Sequence, residues 1–247
     1  MTDGDLARDI AAEAGALLRR IREEGSEQGK ALGARGDHEA NALILARLAA
    51  ERPDDCVLSE EAADDLVRCD QRRVWVVDPL DGTREYAEGR DDWAVHIGLA
   101  IDGHPAVGAV ALPARDVVLC SNDAVAPSPV RSRPVMVVSR TRPPDIAIKV
   151  AEAIGADLLP MGSAGAKAMA VVRGEADIYL HAGGQYEWDN CAPAAVAMAA
   201  GLHVSRIDGI PLVYNCRDPL LPDLLLCRPE FAAAILDVIA AAHEEDC

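Results

Sequence analysis

The most informative segment of the chain is Val74-Trp75-Val76-Val77-Asp78-Pro79-Leu80-Asp81-Gly82-Thr83, in which an apolar run leads directly into two aspartates. The four apolar residues at the start predict a β-strand buried on both faces. Pro79 cannot donate a hydrogen bond to a neighbouring strand, and Gly82 permits a tight turn that can open a helix. Asp78 and Asp81 are therefore expected at the carboxyl end of a strand, where open α/β sheets bind ligands.

The spacing of the two aspartates favours metal binding over a covalent mechanism. Phosphatases that form an aspartyl-phosphate, of the haloacid dehalogenase kind, carry their two aspartates two residues apart, whereas Asp78 and Asp81 are three apart. In a strand a separation of two repeats the same face, but three across a turn lets two carboxylates converge. Asp-Gly-Thr is also typical of an ordinary turn, so this run alone leaves a plain strand-to-loop turn open.

Two other segments also place carboxylates beside an apolar element. The segment Cys56-Val57-Leu58-Ser59-Glu60-Glu61 predicts a short strand that ends in glutamates. Trp188-Asp189 comes directly before an apolar helix that we expect to begin near Asn190. We therefore expect acidic groups from three distant parts of the chain to converge.

These segments resemble the acidic and signature motifs of the inositol monophosphatase and fructose-1,6-bisphosphatase superfamily. The likeness extends from Asp37 to the Trp-Asp motif and beyond. Residues 78–85, 90–96 and 162–170 carry a closer similarity to the bacterial 3'-phosphoadenosine 5'-phosphate phosphatases of the CysQ type, especially the actinobacterial ones. The resemblance implies an α/β fold, an αβαβα sandwich whose site lies between its two halves.

The same resemblance implies an activity and its context. It implies Mg²⁺-dependent hydrolysis of the 3'-phosphate of adenosine 3',5'-bisphosphate to AMP and phosphate, with the 5'-phosphosulfate form as a related substrate. Sulfate assimilation, sensitivity to Li⁺ and a homodimer are implied in the same way. Inositol monophosphate and fructose 1,6-bisphosphate stay open as alternative substrates, and a non-catalytic sensor of nucleotide bisphosphate stays open as an alternative of another class.

The resemblance also implies a set of metal ligands. Glu60, Asp78 and the backbone carbonyl of Leu80 would hold one Mg²⁺ ion, and Asp78, Asp81 and Asp189 would hold a second, with two or three ions per site. Mg²⁺ prefers oxygen ligands and binds through few carboxylates together with substrate phosphate. Two such ions can stabilise both the attacking and the leaving oxygen of a displacement.

By the same resemblance, Asp37 is the general base that activates the attacking water, and the Thr83 hydroxyl orients that water. From the residues alone Asp37 is also a favourable N-cap for a second helix, after a glycine-rich segment through Gly36 that predicts a loop. Both roles are compatible. The phosphate is expected against the backbone N–H groups of Gly82 and Thr83, where a helix N-terminus favours an anion.

Substrate contacts are expected around a second helix start, Gly162-Ser163-Ala164-Gly165, with Lys167 one turn later. Ser163 and Lys167 suit a second anionic group or a ribose hydroxyl, although packing is the alternative for both. The full predicted substrate-binding set is Glu60, Leu80, Asp81, Gly82, Thr83, Ser163, Lys167 and Asp189. In inositol-specific relatives an acidic residue precedes the Trp-Asp motif, whereas residues 181–186 here contain none, which weakens the inositol alternative.

Several aromatic and histidine residues could serve either packing or function. Tyr186 lies in a glycine-rich segment and is the better candidate for stacking on a base, whereas Trp75 and Trp188 are expected to pack. His96 and His181 lack the spacing of a metal-binding motif, so we expect both to be structural.

Composition limits the partners. The formal net charge of −17 argues against nucleic acid or an anionic membrane surface as a partner. The seven cysteines are odd in number and include no Cys-x-x-Cys pair, which argues against a disulfide framework, and we expect a reduced, cytoplasmic protein. The first residues do not form a signal peptide, and no apolar run is long enough to span a membrane.

The order of elements predicts two halves, residues 1–128 and residues 133–247, on either side of a Pro- and Ser-rich stretch at 126–134. The first half is expected to contain a helix that Gly25 ends and an antiparallel meander of three strands within 94–121. The second half alternates strands and helices, which predicts layers of helix and sheet.

Overall fold

The structure is a computed structural model that describes residues 1–64, 66–125 and 131–245, with the side chains of 243–245 left out. The helices in this part of the chain are α1 (Asp3–Glu24), α2 (Gly29–Glu51), α3 (Thr83–Ala87), α4 (Asp145–Ile154), α5 (Ala164–Val172), α6 (Glu187–Ala199) and α7 (Pro229–Glu245). The strands are β1 (Cys56–Ser59), β2 (Arg73–Asp81), β3 (Ala94–Ile101), β4 (His104–Leu112), β5 (Val117–Cys120), β6 (Val135–Ser139), β7 (Asp157–Met161), β8 (Ile178–Tyr186), β9 (His203–Ser205) and β10 (Leu220–Cys227).

The strands form two five-stranded sheets. The first has the order β1-β2-β3-β4-β5, with β1 parallel to β2 and the other pairs antiparallel. It contains the predicted meander, β3 to β5. The second has the order β7-β6-β8-β10-β9, in which β6 runs parallel to both of its neighbours. Sequence analysis did not predict β9 or β10, which complete one edge of the second sheet.

The helices and sheets form five layers, which pack around three apolar cores. Helices α1 and α2 pack on the outer face of the first sheet, α5 and α6 fill the space between the sheets, and α4 and α7 cover the second sheet. Strand β2 serves two cores at once, because Trp75 belongs to the outer core and Val76 to the central one. The predicted αβαβα sandwich is therefore confirmed, and β2 is buried on both faces as expected.

The prediction for the start of α2 was wrong. The segment expected to be a loop is already helical from Gly29, so Asp37 lies inside α2 and is not its N-cap. The glycines that suggested a loop allow close packing instead. A Cβ at Gly33 would lie 2.7 Å from Thr83 Cγ2, and one at Gly36 would lie 3.0 Å from a methyl group of Leu18.

Two other expectations concern boundaries. Helix α6 begins at Glu187, so Asp189 lies in its first turn rather than before it. The division between residues 128 and 133 stays a prediction, since residues 126–130 lie outside the described part of the chain. Among the described residues, no helix is both long and apolar enough to cross a membrane.

Candidate active site

The end of strand β2 is irregular, and this irregularity brings its two aspartates together. Asp78 pairs with His96 of β3 and Asp81 pairs with Ala94, so three steps along β2 match two along β3. Such a bulge redirects side chains relative to the sheet. The Leu80 N–H donates to Asp78 Oδ1 over 3.0 Å, which fixes that carboxylate across the bulge.

Asp189 completes a cluster of three carboxylates with Asp78 and Asp81. One oxygen from each lies within 4.8 Å of the other two. The Tyr186 N–H donates to Asp189 Oδ2 over 2.6 Å, so the start of α6 orients this carboxylate. Burying three like charges so close together costs free energy unless a cation balances them. Because Mg²⁺ binds oxygen ligands, this donor set fits a divalent metal ion.

Glu60 stands next to this cluster. Strand β1 runs parallel to β2 with Ser59 beside Val77, and the Glu60 N–H donates to the Val77 carbonyl over 3.3 Å. Burial of the carboxyl group and repulsion from Asp189 raise the pKa of Glu60 to about 7, although the residue as a whole is exposed. Burial and the Glu60 charge raise the pKa of Asp78 well above its ordinary value. Together with the three-carboxylate cluster, Glu60 forms what we call the acidic centre.

The predicted pair Asp37 and Thr83 is brought together. Thr83 Oγ1 lies 3.4 Å from Asp37 Oδ1 and 3.1 Å from the carbonyl oxygen of Leu80. Burial, followed by repulsion from Glu61 and Glu60, raises the pKa of Asp37 to about 7. A carboxyl group with a pKa near neutrality is suited to act as a general base at physiological pH.

Asn41 is a site residue that sequence analysis missed. The Ser59 hydroxyl donates to Asn41 Oδ1 over 2.8 Å, and Asn41 Nδ2 donates to the Glu61 carbonyl over 3.3 Å. Asn41 lies one helical turn beyond Asp37, so a single face of α2 presents the proposed base and holds the glutamate segment. Asp37 and Asn41 are four residues apart at the start of the predicted helix, and this spacing is a sequence signal that could have placed them on one face.

Asp81 has surroundings unlike those of Asp78. It accepts hydrogen bonds from the Ala164 N–H over 3.1 Å, from the Gly165 N–H over 2.6 Å, and from the Ser163 hydroxyl. His96 Nε2 lies 3.3 Å from its Oδ2 atom. Although burial alone would raise the pKa of Asp81, the His96 charge and these donors hold it at about 2. This carboxylate therefore occupies the N-terminus of α5.

His96 contacts both the segment that contains Asp81 and the Trp188-Asp189 segment. It is fully buried, and its Nδ1 atom lies 3.0 Å from the Trp188 carbonyl oxygen while Nε2 faces Asp81. Gly165 makes room for the ring, because a Cβ there would lie 2.0 Å from His96 Nε2. The histidine is structural, as expected, but it also orders the site. His181, the other histidine expected to be structural, bonds to a backbone carbonyl within β8.

The predicted substrate residues lie at two helix starts. Gly82, with φ of 85°, precedes the five-residue helix α3 that Thr83 begins. Ser163 precedes α5, and its hydroxyl is turned towards Asp81. The ammonium group of Lys167 is buried and donates to two backbone carbonyls.

Tyr186 and Trp188 form an aromatic pair beside Asp189. Their rings are parallel within 10° and their centroids are 4.6 Å apart. Tyr186 is 45% exposed, so part of its ring stays open to solvent. Trp188 packs against the central core, and Trp75 is buried with Nε1 donating to Asp55, in agreement with the packing roles expected for both.

The family model for the inositol monophosphatase family matches residues 5–243. The chain belongs to the inositol monophosphatase family. The predicted superfamily membership is thereby confirmed. The chain is 53% identical over 241 residues to the 3'-phosphoadenosine 5'-phosphate phosphatase of Mycobacterium tuberculosis, a match that covers 93% of this chain and 90% of the relative.

Solved structures of this family share the fold. CysQ from Bacteroides thetaiotaomicron superimposes with a TM-score of 0.80 at 26% identity, over 92% of this chain and 97% of that chain. Inositol monophosphatase II from Staphylococcus aureus MSSA476 superimposes with a TM-score of 0.83 at 20% identity, over 98% and 97%. The second likeness concerns the fold alone. Family membership makes the acidic centre the expected place for chemistry.

Proposed function

We propose that this protein is an Mg²⁺-dependent phosphatase that hydrolyses the 3'-phosphate of adenosine 3',5'-bisphosphate, giving AMP and phosphate. The observation that carries the proposal is the convergence of Asp78, Asp81 and Asp189 within 4.8 Å, next to the hydrogen-bonded pair Asp37 and Thr83. A metal site and a base side by side suit hydrolysis by direct attack of water.

The acidic centre would hold the metal ions. Glu60, Asp78, Asp81, Asp189 and the carbonyl of Leu80 are the proposed ligands for two or three Mg²⁺ ions. When bound, Mg²⁺ would balance the carboxylate charge and stabilise negative charge on the phosphate oxygens. The raised pKa values of Glu60 and Asp78 are consistent with this assignment, because they reflect burial of the two carboxyl groups and, after it, repulsion from neighbouring carboxylates.

The chain's own residues would carry the proton transfer. Asp37 would accept a proton from the attacking water, and the Thr83 hydroxyl, 3.4 Å from Asp37 Oδ1, would orient that water. As the water oxygen bonds to phosphorus, the ester bond to the 3'-oxygen breaks; the 3'-oxygen leaves with the bonding electron pair and takes a proton from solvent to give the 3'-hydroxyl of AMP. The backbone N–H groups of Gly82 and Thr83 are the proposed contacts for the phosphate.

The choice of a nucleotide substrate rests on the close relatives and on the aromatic pair. The M. tuberculosis relative named above is a 3'-phosphoadenosine 5'-phosphate phosphatase. The open face of Tyr186 offers a surface on which a purine can stack, which is worth about 1–3 kcal/mol per base. Ser163 is the proposed contact for the sugar. Contact between Lys167 and the substrate stays a prediction, as do the homodimer, the cytoplasmic location and sensitivity to Li⁺.

The proposal is tested by comparing three phosphate esters. We expect kcat/KM to be highest for adenosine 3',5'-bisphosphate and lower for inositol 1-phosphate and fructose 1,6-bisphosphate. A higher kcat/KM for inositol 1-phosphate would identify the inositol ester, and not the nucleotide, as the preferred substrate. Binding of the nucleotide without phosphate release from any ester would support the sensor alternative.

A further inference from the structure

Lys167 carries a positive charge beneath the acidic centre, yet its ammonium group bonds to backbone rather than to a carboxylate. The side chain is 6% exposed. Its Nζ atom donates to the Ser163 carbonyl over 2.6 Å and to the Gly162 carbonyl over 3.2 Å. The same nitrogen lies 5.3 Å from the centroid of the Tyr179 ring, within the range of a cation–π interaction.

The two carbonyls flank a residue in an unfavourable backbone conformation. Ser163 has φ of 47° although it is not glycine, and such a residue persists only where its surroundings hold it. This conformation directs three donors towards Asp81: the Ser163 hydroxyl and the backbone N–H groups of Ala164 and Gly165. Lys167 bonds to the peptide groups on both sides of that turn.

The Tyr179 ring, in turn, is tied to the other motif. Gln185 Nε2 donates to the Tyr179 hydroxyl over 2.8 Å, and Asn190 Nδ2 donates to Gln185 Oε1 over 3.2 Å. Asn190 directly follows Asp189. A buried polar network of this kind, with its members hydrogen-bonded, restricts each member to one arrangement. The starts of α5 and α6, which carry donors to Asp81 and the Asp189 carboxylate, are thus linked below the site.

We propose that Lys167 is a positioning residue: it holds the backbone on both sides of Ser163, so that α5 presents its donors to Asp81. The inference rests on the proposed hydrolysis of phosphate esters at the acidic centre. Asp81 serves every ester that this centre hydrolyses. Loss of the ammonium group therefore affects all substrates alike, whether or not they carry a second phosphate or a ribose.

The test uses Lys167→Met and three esters: adenosine 3',5'-bisphosphate, adenosine 3'-monophosphate and p-nitrophenyl phosphate. Hydrogen bonds to charged groups correspond to about a tenfold to hundredfold effect, and we expect kcat/KM to fall by that factor for all three. The Mg²⁺ concentration for half-maximal rate should rise as well. A lower ratio of bisphosphate to monophosphate activity would instead mean contact with the 5'-phosphate, and loss on both nucleotides alone would mean contact with the nucleoside.

Lys149→Met is the matched control, because Lys149 is exposed on the outer helix α4 and its loss should leave all rates unchanged. Unchanged rates in a folded Lys167→Met protein would overturn the inference. If that variant lacks a cooperative thermal transition, Lys167→Gln, which keeps a donor, enters the same comparison with a smaller expected loss. A wild-type preference for inositol 1-phosphate would refute the proposed substrate, but the equal loss across esters would still test the role of Lys167.

Discussion

The two sides of the acidic centre shift the pKa values of their carboxyl groups in opposite directions. On the β1–β2 side, Glu60 and Asp78 are surrounded by other acidic groups; burial and this repulsion raise the pKa of Glu60 to about 7 and that of Asp78 well above its ordinary value. On the α5 side, His96 and the donors at the helix start hold the pKa of Asp81 at about 2, against the effect of burial. The protein balances the charge of one side and leaves the other for a cation.

The difference separates two tasks. A carboxylate that already accepts several hydrogen bonds has a fixed orientation, so Asp81 can present its remaining capacity to a ligand in one place. Glu60 and Asp78 lie among like charges, with the Leu80 N–H as a donor to Asp78, so a cation that binds there removes the cost of their mutual repulsion. In such a metal site one ligand, Asp81, has a fixed orientation that defines where the ion binds. The other carboxylates contribute the affinity for the ion.

The largest predicted effects come from Asp78→Asn and Asp81→Asn, which should both abolish measurable phosphate release while differing in stability. Removing the Asp78 charge relieves repulsion, so we expect the metal-free variant to be at least as stable as the wild type. Asp81→Asn loses charge-assisted hydrogen bonds worth about 1.5–3 kcal/mol, which corresponds to a fall in Tm of roughly 3–12 °C for a chain of this size.

Thermal denaturation in chelator, next to a phosphate-release assay in Mg²⁺, measures both quantities. The wild-type protein in the same buffers is the reference. Equal destabilisation by the two substitutions would contradict the proposed difference between the two sides. Retained turnover in either variant would show that this aspartate is not part of the catalytic site.

Asp37→Asn should lower kcat by about a hundredfold to ten-thousandfold, the usual contribution of general-base catalysis. The midpoint for Mg²⁺ should stay nearly unchanged, because Asp37 bonds to Thr83 rather than to the cluster of three aspartates. Steady-state kinetics at several Mg²⁺ concentrations separates these effects. An increase in KM alone would argue against a catalytic role for Asp37.

The carboxylates of the acidic centre could be predicted from sequence because each lies at or near the end of a regular element. The apolar residues before Asp78 predict a strand and those after Asp189 predict a helix. The structure places Asp78 near the end of β2 and Asp189 in the first turn of α6, where the sandwich brings distant segments together. The family resemblance supplied the pairing of Asp37 with Thr83, which local patterns could not, because the two residues belong to different helices.

The parts that sequence analysis missed depend on tertiary contacts. In sequence Gly33 and Gly36 are typical of a loop, but they lie where α2 packs tightly against its neighbours. The bridge from His96 to Asp81 has no sequence signal other than Gly165, whose missing side chain matters only once α5 and β3 are in place. Close approach and bridging both require the assembled fold.

His96→Leu sharpens the comparison from the α5 side. The substitution removes the nitrogens that face Asp81 and the Trp188 carbonyl while it keeps an apolar side chain in the buried space. Outer groups that orient metal ligands typically contribute about tenfold to hundredfold to metal affinity or activity, and we expect a loss near the lower value. His181→Leu, away from Asp81, serves as the control for removing a histidine. Equal losses in the two variants would assign His96 to general packing.

The smallest predicted effect is a pH-dependent stabilisation by Mg²⁺. Carboxyl groups with raised pKa values, Glu60 and Asp37 at about 7 and Asp189 at about 6, favour the folded state when protonated, and this contribution is lost as pH rises through those values. The metal-free protein should therefore have a higher Tm at pH 6 than at pH 8. Asp81 acts in the opposite direction, but only near pH 2 to 4, below this range.

At saturating concentration Mg²⁺ should raise Tm by several degrees, and by more at pH 8, where protons compete less for the carboxylates than at pH 6. Differential scanning fluorimetry at both pH values, with and without Mg²⁺, measures the shifts. The Asp78→Asn variant should show a smaller Mg²⁺ shift than the wild type. A larger shift at pH 6 would contradict the assignment of unbalanced charge to the β1–β2 side.

The most direct test of the central claim is the release of phosphate from adenosine 3',5'-bisphosphate by the metal-stripped protein, before and after addition of Mg²⁺. The proposed site predicts no turnover without the ion and full recovery when Mg²⁺ is restored. It also predicts no recovery in Asp78→Asn at the same Mg²⁺ concentration. Turnover that persists in the presence of chelator, or that Mg²⁺ restores equally in the variant, would contradict a metal-dependent phosphatase centred on these carboxylates.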